Sequence, residues 1–445
     1  CPVSCPMNRL FAFILTAMLI SNATPAKAVE VQEIVSPTGI KALLVEDHAN
    51  PIIAFRIAFR GGSALDPDGV EGLANMVSGL IDEGAGDMDS QAFQGQLEDL
   101  SIRLSFSSGM DTFRGTLTTL SQNKAEAFQM LRLALTEPRF DDEPVERIRS
   151  QILANLRQKS QDPDSIAGEA LFRKLFTGHA YAKASDGTTE SVSAITAGAM
   201  RDFVSRRFAR NNLYIGVTGD ITASELKQVL DDIFGGLPEQ SSAWALPQAD
   251  ASLDGTVYVT DLAVPQSAVI FAQQGLDRAH PDFYAAYVLN YVLGGGGLTS
   301  RLYNEVREKR GLAYSAYSYL SPYDHAALIV GGAGTANERV PETISVIRDQ
   351  WRLAASNGLS TTELENAKTY LTGSYPLRFS SNGAIANMLL GIQMEDLGST
   401  YFERRNSYIE QVTLADVNRV ARQLLNPDSL TFVVVGQPAG LDDSQ

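Results

Sequence analysis

The clearest regularities in the chain are apolar runs that return, in the same order, in its two halves. Ile40 to Val45 and Ile52 to Phe59 are short and rich in β-branched and aromatic residues. Gly255 to Thr260 and Ser267 to Gln273 are their counterparts further on, and all four predict strands. Elsewhere the apolar period is helical. Leu73, Met76, Val77 and Leu80 share one helix face, a helix opening near Asp142-Glu143-Pro144 has proline and acidic residues at its start, and Ser360-Thr361-Thr362-Glu363 carries a capping-box pattern.

One unit recurs without a gap. Ile195-Thr196-Ala197-Gly198-Ala199-Met200, leading to Leu213-Tyr214-Ile215-Gly216-Val217-Thr218-Gly219, parallels Val412-Thr413-Leu414-Ala415-Asp416-Val417, leading to Leu430-Thr431-Phe432-Val433-Val434-Val435-Gly436. In each copy a threonine can cap a helix and a β-rich strand then ends at a glycine. The expected fold is therefore α+β: two domains of similar topology, each a mainly antiparallel sheet with helices packed on one face. The boundaries expected are 29–237 and 253–445, joined by a linker over 238–252 that lacks strong periodicity.

Residues 1–28 stand apart. From Met7 the chain has Arg9, an eleven-residue apolar run from Leu10 to Ile20, and the small-residue site Ala26-Lys27-Ala28, the pattern of a cleaved secretory signal and too short to span a bilayer. Both cysteines, Cys1 and Cys5, lie in it, so the remainder has no thiol chemistry, and a periplasmic location is expected. The formal charge is −16, and setting aside Arg9 and Lys27 makes the rest two charges more negative. With no basic stripe or aromatic-basic interleaving, neither a nucleic acid nor, after signal cleavage, a membrane is an expected partner.

The segment Gly72-Leu73-Ala74-Asn75-Met76-Val77-Ser78-Gly79-Leu80-Ile81-Asp82-Glu83-Gly84 resembles the frame of the inverzincins, the pitrilysin, insulinase and mitochondrial processing peptidase family, whose corresponding residues read G-L-A-H-x-x-E-H. Asn75 and Gly79 stand where that family has its two histidine ligands, and Ser78 where it has the glutamate that activates the zinc-bound water. The family's third ligand, a glutamate on a later helix, falls at Asn155 in Ser150-Gln151-Ile152-Leu153-Ala154-Asn155-Leu156-Arg157. Two amides, a hydroxyl and a missing side chain cannot replace that centre. No zinc or other cofactor is expected in this chain.

Leu293-Gly294-Gly295-Gly296-Gly297-Leu298-Thr299-Ser300-Arg301-Leu302, running on through Arg307-Glu308-Lys309-Arg310-Gly311-Leu312-Ala313-Tyr314, resembles the same family's G-G-x-x-S-R-L…R-E-x-x-G-L-x-Y. The glycines are expected to end one helix, Ser300 or Thr299 to cap the next, and Gly311 to end that one before a strand starting near Ala313. The resemblance implies that Arg307 and Tyr314 reach a cleft and donate hydrogen bonds to a substrate carbonyl, and that Gly295, Gly296 and Gly297 form a substrate-facing loop. His48, His179, His280 and His325 are scattered without zinc-site spacing, and His179 reads as a structural turn residue.

Two functions follow from the resemblance. The chain is expected to be a non-catalytic subunit that pairs with a homologous zinc-bearing peptidase chain, supplying Arg307 and Tyr314 in trans for cleavage of peptide substrates. The alternative is a structural or peptide-binding scaffold of the same family with no part in proteolysis. Retention of the arginine and tyrosine beside loss of every metal residue favours the first.

Overall fold

The computed structural model describes residues 30–441; the expected leader over 1–28 lies outside them. The first sheet contains β1 (Gln32–Val35), β2 (Lys41–Glu46), β3 (Ile52–Arg60), β4 (Arg103–Ser108), β5 (Thr112–Leu120) and β6 (Leu213–Gly219), in the order β1-β2-β6-β3-β5-β4. The second contains β7 (Val257–Asp261), β8 (Gln266–Gln274), β9 (Ala313–Pro322), β10 (Ala327–Ala336) and β11 (Thr431–Gly436), in the order β7-β11-β8-β10-β9. Strand for strand, β2-β6-β3-β5-β4 and β7-β11-β8-β10-β9 share one topology. Each has a single parallel pair, β2 with β6 and β7 with β11, and is otherwise antiparallel.

The helices of the first half are α1 (Leu73–Ser78), α2 (Ser90–Asp99), α3 (Lys124–Thr136), α4 (Asp142–Lys159), α5 (Pro163–Leu175), α6 (Thr189–Ala194), α7 (Ala197–Arg207) and α8 (Ala223–Phe234). Those of the second are α9 (Phe283–Asn290), α10 (Val340–Asn357), α11 (Thr361–Gly373), α12 (Asn382–Met394), α13 (Tyr401–Glu410) and α14 (Leu414–Leu424). The repeated closing unit is explained by its caps. Thr196 Oγ1 accepts from the Ala199 amide at 3.2 Å and Thr413 Oγ1 from the Asp416 amide at 3.1 Å, each satisfying an N–H that the first turn leaves without a partner.

Each sheet has a core of its own helices on one face. Phe55, Phe59, Phe128, Phe208 and Phe234 fill it in the first half, and Phe271, Trp351 and Phe432 in the second. The opposite faces are covered by an exchange. α5, from the first half, lies on β8 and β11, where Ala167, Leu171 and Leu175 meet Ala268, Ala272, Val433 and Val435. α12, from the second half, lies on β2, β3 and β6, so close that a Cβ on Gly216 would stand 2.4 Å from the Ala386 carbonyl oxygen. A strand covered on both faces needs no polar side, which is why every residue of β11 is buried.

Residues 239–256 contain no helix or strand but are held along this seam. The Ala249 amide donates to His325 O and the Ser252 amide to Leu175 O, both at 2.8 Å. Leu246 and Ala249 pack with α5 in the cluster beneath it. The two sheets accordingly belong to one compact unit that begins at Val31.

Candidate functional site

α1 has glycine at its first cap position and draws its capping acceptor from further back. Asp66, almost fully buried, accepts from the amides of Gly72 and Ala74, both at 3.1 Å, and pairs with buried Arg207 at 3.1 Å. Burial pushes the Asp66 carboxyl up to about 6, against the pull of Arg207. This anchor fixes the helix that presents Asn75. Ser78, on the next turn, is buried, and its Oγ donates to Asn75 O at 2.7 Å, leaving that hydroxyl turned into its own helix. Gly79 abuts α4, where an added Cβ would stand 3.3 Å from Ile148 Cγ2.

Asn75 and Asn155 meet on the wall of one cavity of about 420 Å³, with Ile152, Gln158, Lys159, Asp162, Ser165 and Asp186. Ser78 and Gly79 are not on that wall. Four of the other polar groups there are engaged in pairs. Lys159 pairs with Asp186, and Asp162 caps α5 by accepting from the Ser165 amide at 2.9 Å and its hydroxyl at 2.6 Å, bonds that hold the Asp162 carboxyl below its usual range. Two amides, an inward hydroxyl and a glycine do not fit a zinc ion. Among the described residues no group of three or more His, Cys, Asp or Glu is arranged to hold a metal.

The segment carrying Arg307 and Tyr314 folds as its capping residues dictate. Ser300 Oγ accepts from the Tyr303 amide at 3.3 Å and starts the helical segment that includes Tyr303–Glu308, and Gly311, at φ +60°, ends it before β9. The glycine run differs from expectation in one respect. A π-helical turn continues α9 over Tyr291–Gly295, so Gly294 and Gly295 are helical, and Gly294 lets the turn touch β9, since a Cβ there would stand 2.2 Å from Ser318 Oγ. Gly296 alone links it to a 3-10 turn over Gly297–Thr299.

Arg307 and Tyr314 are brought together. The guanidinium carbon lies 4.6 Å from the Tyr314 ring centre and 5.0 Å from that of Tyr303, and Nη1 donates to Tyr303 Oη at 2.5 Å. Tyr303 was not singled out in the sequence; its signal is its spacing, four residues before Arg307 on one helical face. Tyr314 is 79% exposed. The arrangement is an arginine clasped between two phenols with one phenol facing solvent: a donor pair that can bind a carbonyl or an oxyanion. Neither Arg307 nor Tyr314 lines the cavity of Asn75 and Asn155. The histidines hold no such site. His179 and His325 approach within 6.4 Å between ring centres, but His179 Nδ1 accepts from the Tyr181 amide at 3.1 Å and closes its own turn.

Two homologous α+β halves with a metal-ligand frame in the first and an arginine–tyrosine segment in the second define the class as the peptidase M16 type. Residues 41–189 match the insulinase (peptidase family M16) profile and residues 194–371 that of the peptidase M16 inactive domain. The chain belongs to the peptidase M16 family. It is 27% identical over 427 residues to the "Non-peptidase homolog YmxG" of Helicobacter pylori, covering 95% of this chain and 98% of that one. It is 26% identical over 295 residues to the "Uncharacterized zinc protease YmxG" of Bacillus subtilis, 65% of this chain and 70% of that one. Among solved structures, a peptidase M16 inactive domain from Pseudomonas fluorescens superposes with a TM-score of 0.86 at 27% identity, covering 94% of this chain and 100% of that one. A protease from Helicobacter pylori shares the fold at a TM-score of 0.82 and 17% identity, covering 92% of this chain and 99% of that one.

Proposed function

We propose that this chain is a non-catalytic subunit of a zinc metallopeptidase in the periplasm, pairing with a homologous chain that carries the metal and contributing Arg307 and Tyr314 to the shared site. The observation that carries this reading is the pairing of those two side chains, with Tyr314 presented to solvent and neither residue on the wall of the cavity that Asn75 and Asn155 line. The scaffold reading gives this pair no part in chemistry. The name of the Helicobacter pylori relative supports the non-peptidase part of the reading.

Arg307 and Tyr314 would donate to the scissile carbonyl as it becomes tetrahedral, a contact that strengthens in the transition state. The test is reconstitution with the zinc-bearing homologue from the same host. Arg307→Ala and Tyr314→Phe should each lower kcat by about 10²–10³ with assembly intact. Wild-type turnover in both variants, or failure of the two chains to associate, would leave the scaffold.

A further inference from the structure

A second cavity, of about 320 Å³, lies between α9, α12, α13 and the turn Tyr375–Arg378, and carries three arginines, Arg278, Arg378 and Arg405. In a chain with 52 acidic against 36 basic side chains, none of the three has a carboxylate partner within ion-pair distance among the described residues. One acidic residue, Glu395, shares the wall and makes no ion pair with any of the three.

The arginines are held by groups that leave donors over. Arg405 is 5% exposed; its Nη1 donates to Leu371 O at 2.6 Å and Asn406 Oδ1 at 3.0 Å, and its guanidinium lies 4.5 Å from the Tyr375 ring centre. Arg278 Nη2 donates to Tyr284 Oη at 3.0 Å and Tyr401 Oη at 3.2 Å, and its guanidinium lies 4.4 Å from the Phe283 ring centre. A guanidinium has five N–H donors, so both retain capacity. Tyr375 lines the same cavity, is 6% exposed, and its hydroxyl has no hydrogen-bond partner. Such a group costs about 1–3 kcal/mol when buried unpaired, and an acceptor in the cavity would relieve that cost. The remaining wall includes Met388, Ile392, Leu397 and Phe402.

We propose that this cavity binds the C-terminal residue of a peptide, its carboxylate on the arginines and Tyr375 and an apolar last side chain against the hydrophobic wall. A planar carboxylate suits guanidinium donors. Bare phosphate would leave the aromatic and aliphatic wall without a partner, and the last N–H of a peptide can donate to Glu395, the one carboxylate on the wall, beside the terminal carboxylate. The volume is at the small end for ligand sites, about 300–1,000 Å³, and fits a terminal residue better than a folded partner.

The site involves neither Arg307 nor Tyr314, so it is measured on the lone chain and stands or falls apart from the subunit reading. Titration calorimetry with Ala-Ala-Phe should give one site per chain, with the C-terminal amide at least about tenfold weaker, because the charge-assisted hydrogen bonds are lost. Arg378 is exposed, and Arg378→Gln should weaken binding about tenfold while leaving Tm unchanged; Tyr375→Phe should weaken binding about tenfold with the Tm of the unliganded chain no lower than that of the wild type, because it removes a buried hydroxyl that has no partner. Equal affinity for acid and amide, no binding of the acid, equal binding of free phenylalanine, or displacement by inorganic phosphate at similar affinity would each overturn the proposal.

Discussion

Gly219 and Gly436 end equivalent strands in the two halves at φ +135° and +153°, where a side chain is strained before any contact is counted. At Gly219 contact is also severe, because a Cβ would stand 2.1 Å from Ile52 O, on the neighbouring strand. Gly219→Ala should therefore destabilise the chain by about 3 kcal/mol or more, read as a fall in denaturant midpoint. The metal positions make a second prediction at this scale. With Asn75 and Asn155 on the cavity wall, Ser78 bonded to its own helix and Gly79 against Ile148, the dialysed protein should retain far less than one zinc per chain by elemental analysis. One tightly held zinc would contradict the site as described.

At the scale of elements, the helical segment that bears Arg307 is pinned to α11. Arg301, just ahead of it, donates from Nε and Nη2 to Glu363 at 2.7 and 2.8 Å, and Glu363 is also the acidic member of the capping box opened by Ser360. The hydrogen bond from Arg301 is the main cause that lowers the Glu363 carboxyl to about 2. Because the folded value lies below the unfolded one, the contribution is fully present above about pH 4.5 and is lost as pH falls toward 2. Glu363→Gln should cost about 1–2 kcal/mol at pH 7, allowing for partial exposure, and the gap in Tm between wild type and variant should close across that window. A gap that stays constant from pH 7 to pH 2.5 would show that the charge of Glu363 is immaterial.

For the whole molecule, the exchange of α5 and α12 is the decisive feature. Each half alone would expose an apolar sheet face and carry an apolar helix with nothing to cover. Residues 29–237 expressed alone should accordingly bind a hydrophobic dye and lack a cooperative unfolding transition. Co-expression with 253–445 should restore both solubility and cooperativity, since the segment between them contains no helix or strand. A cooperative, monomeric 29–237 fragment would mean that the exchange contributes little.

Local pattern determined the parts of this protein whose causes are local. The paired strands, the Thr196 and Thr413 caps, the Ser360 capping box, the turn at Gly311 and the lack of a histidine or carboxylate at Asn75, Ser78, Gly79 and Asn155 are all legible because each depends on residues a few positions apart or on side-chain identity alone. The tertiary structure decided what distant segments do to one another. It placed Asn75 beside Asn155 and left Ser78 and Gly79 off the cavity wall, and it added Tyr303 to Arg307 and Tyr314. It gathered Arg278, Tyr375 and Arg405 from three elements and laid α5 and α12 across the opposite sheets. Those arrangements depend on which apolar surfaces find each other in a chain of 445 residues, and no periodicity of 2 or about 3.6 residues records that.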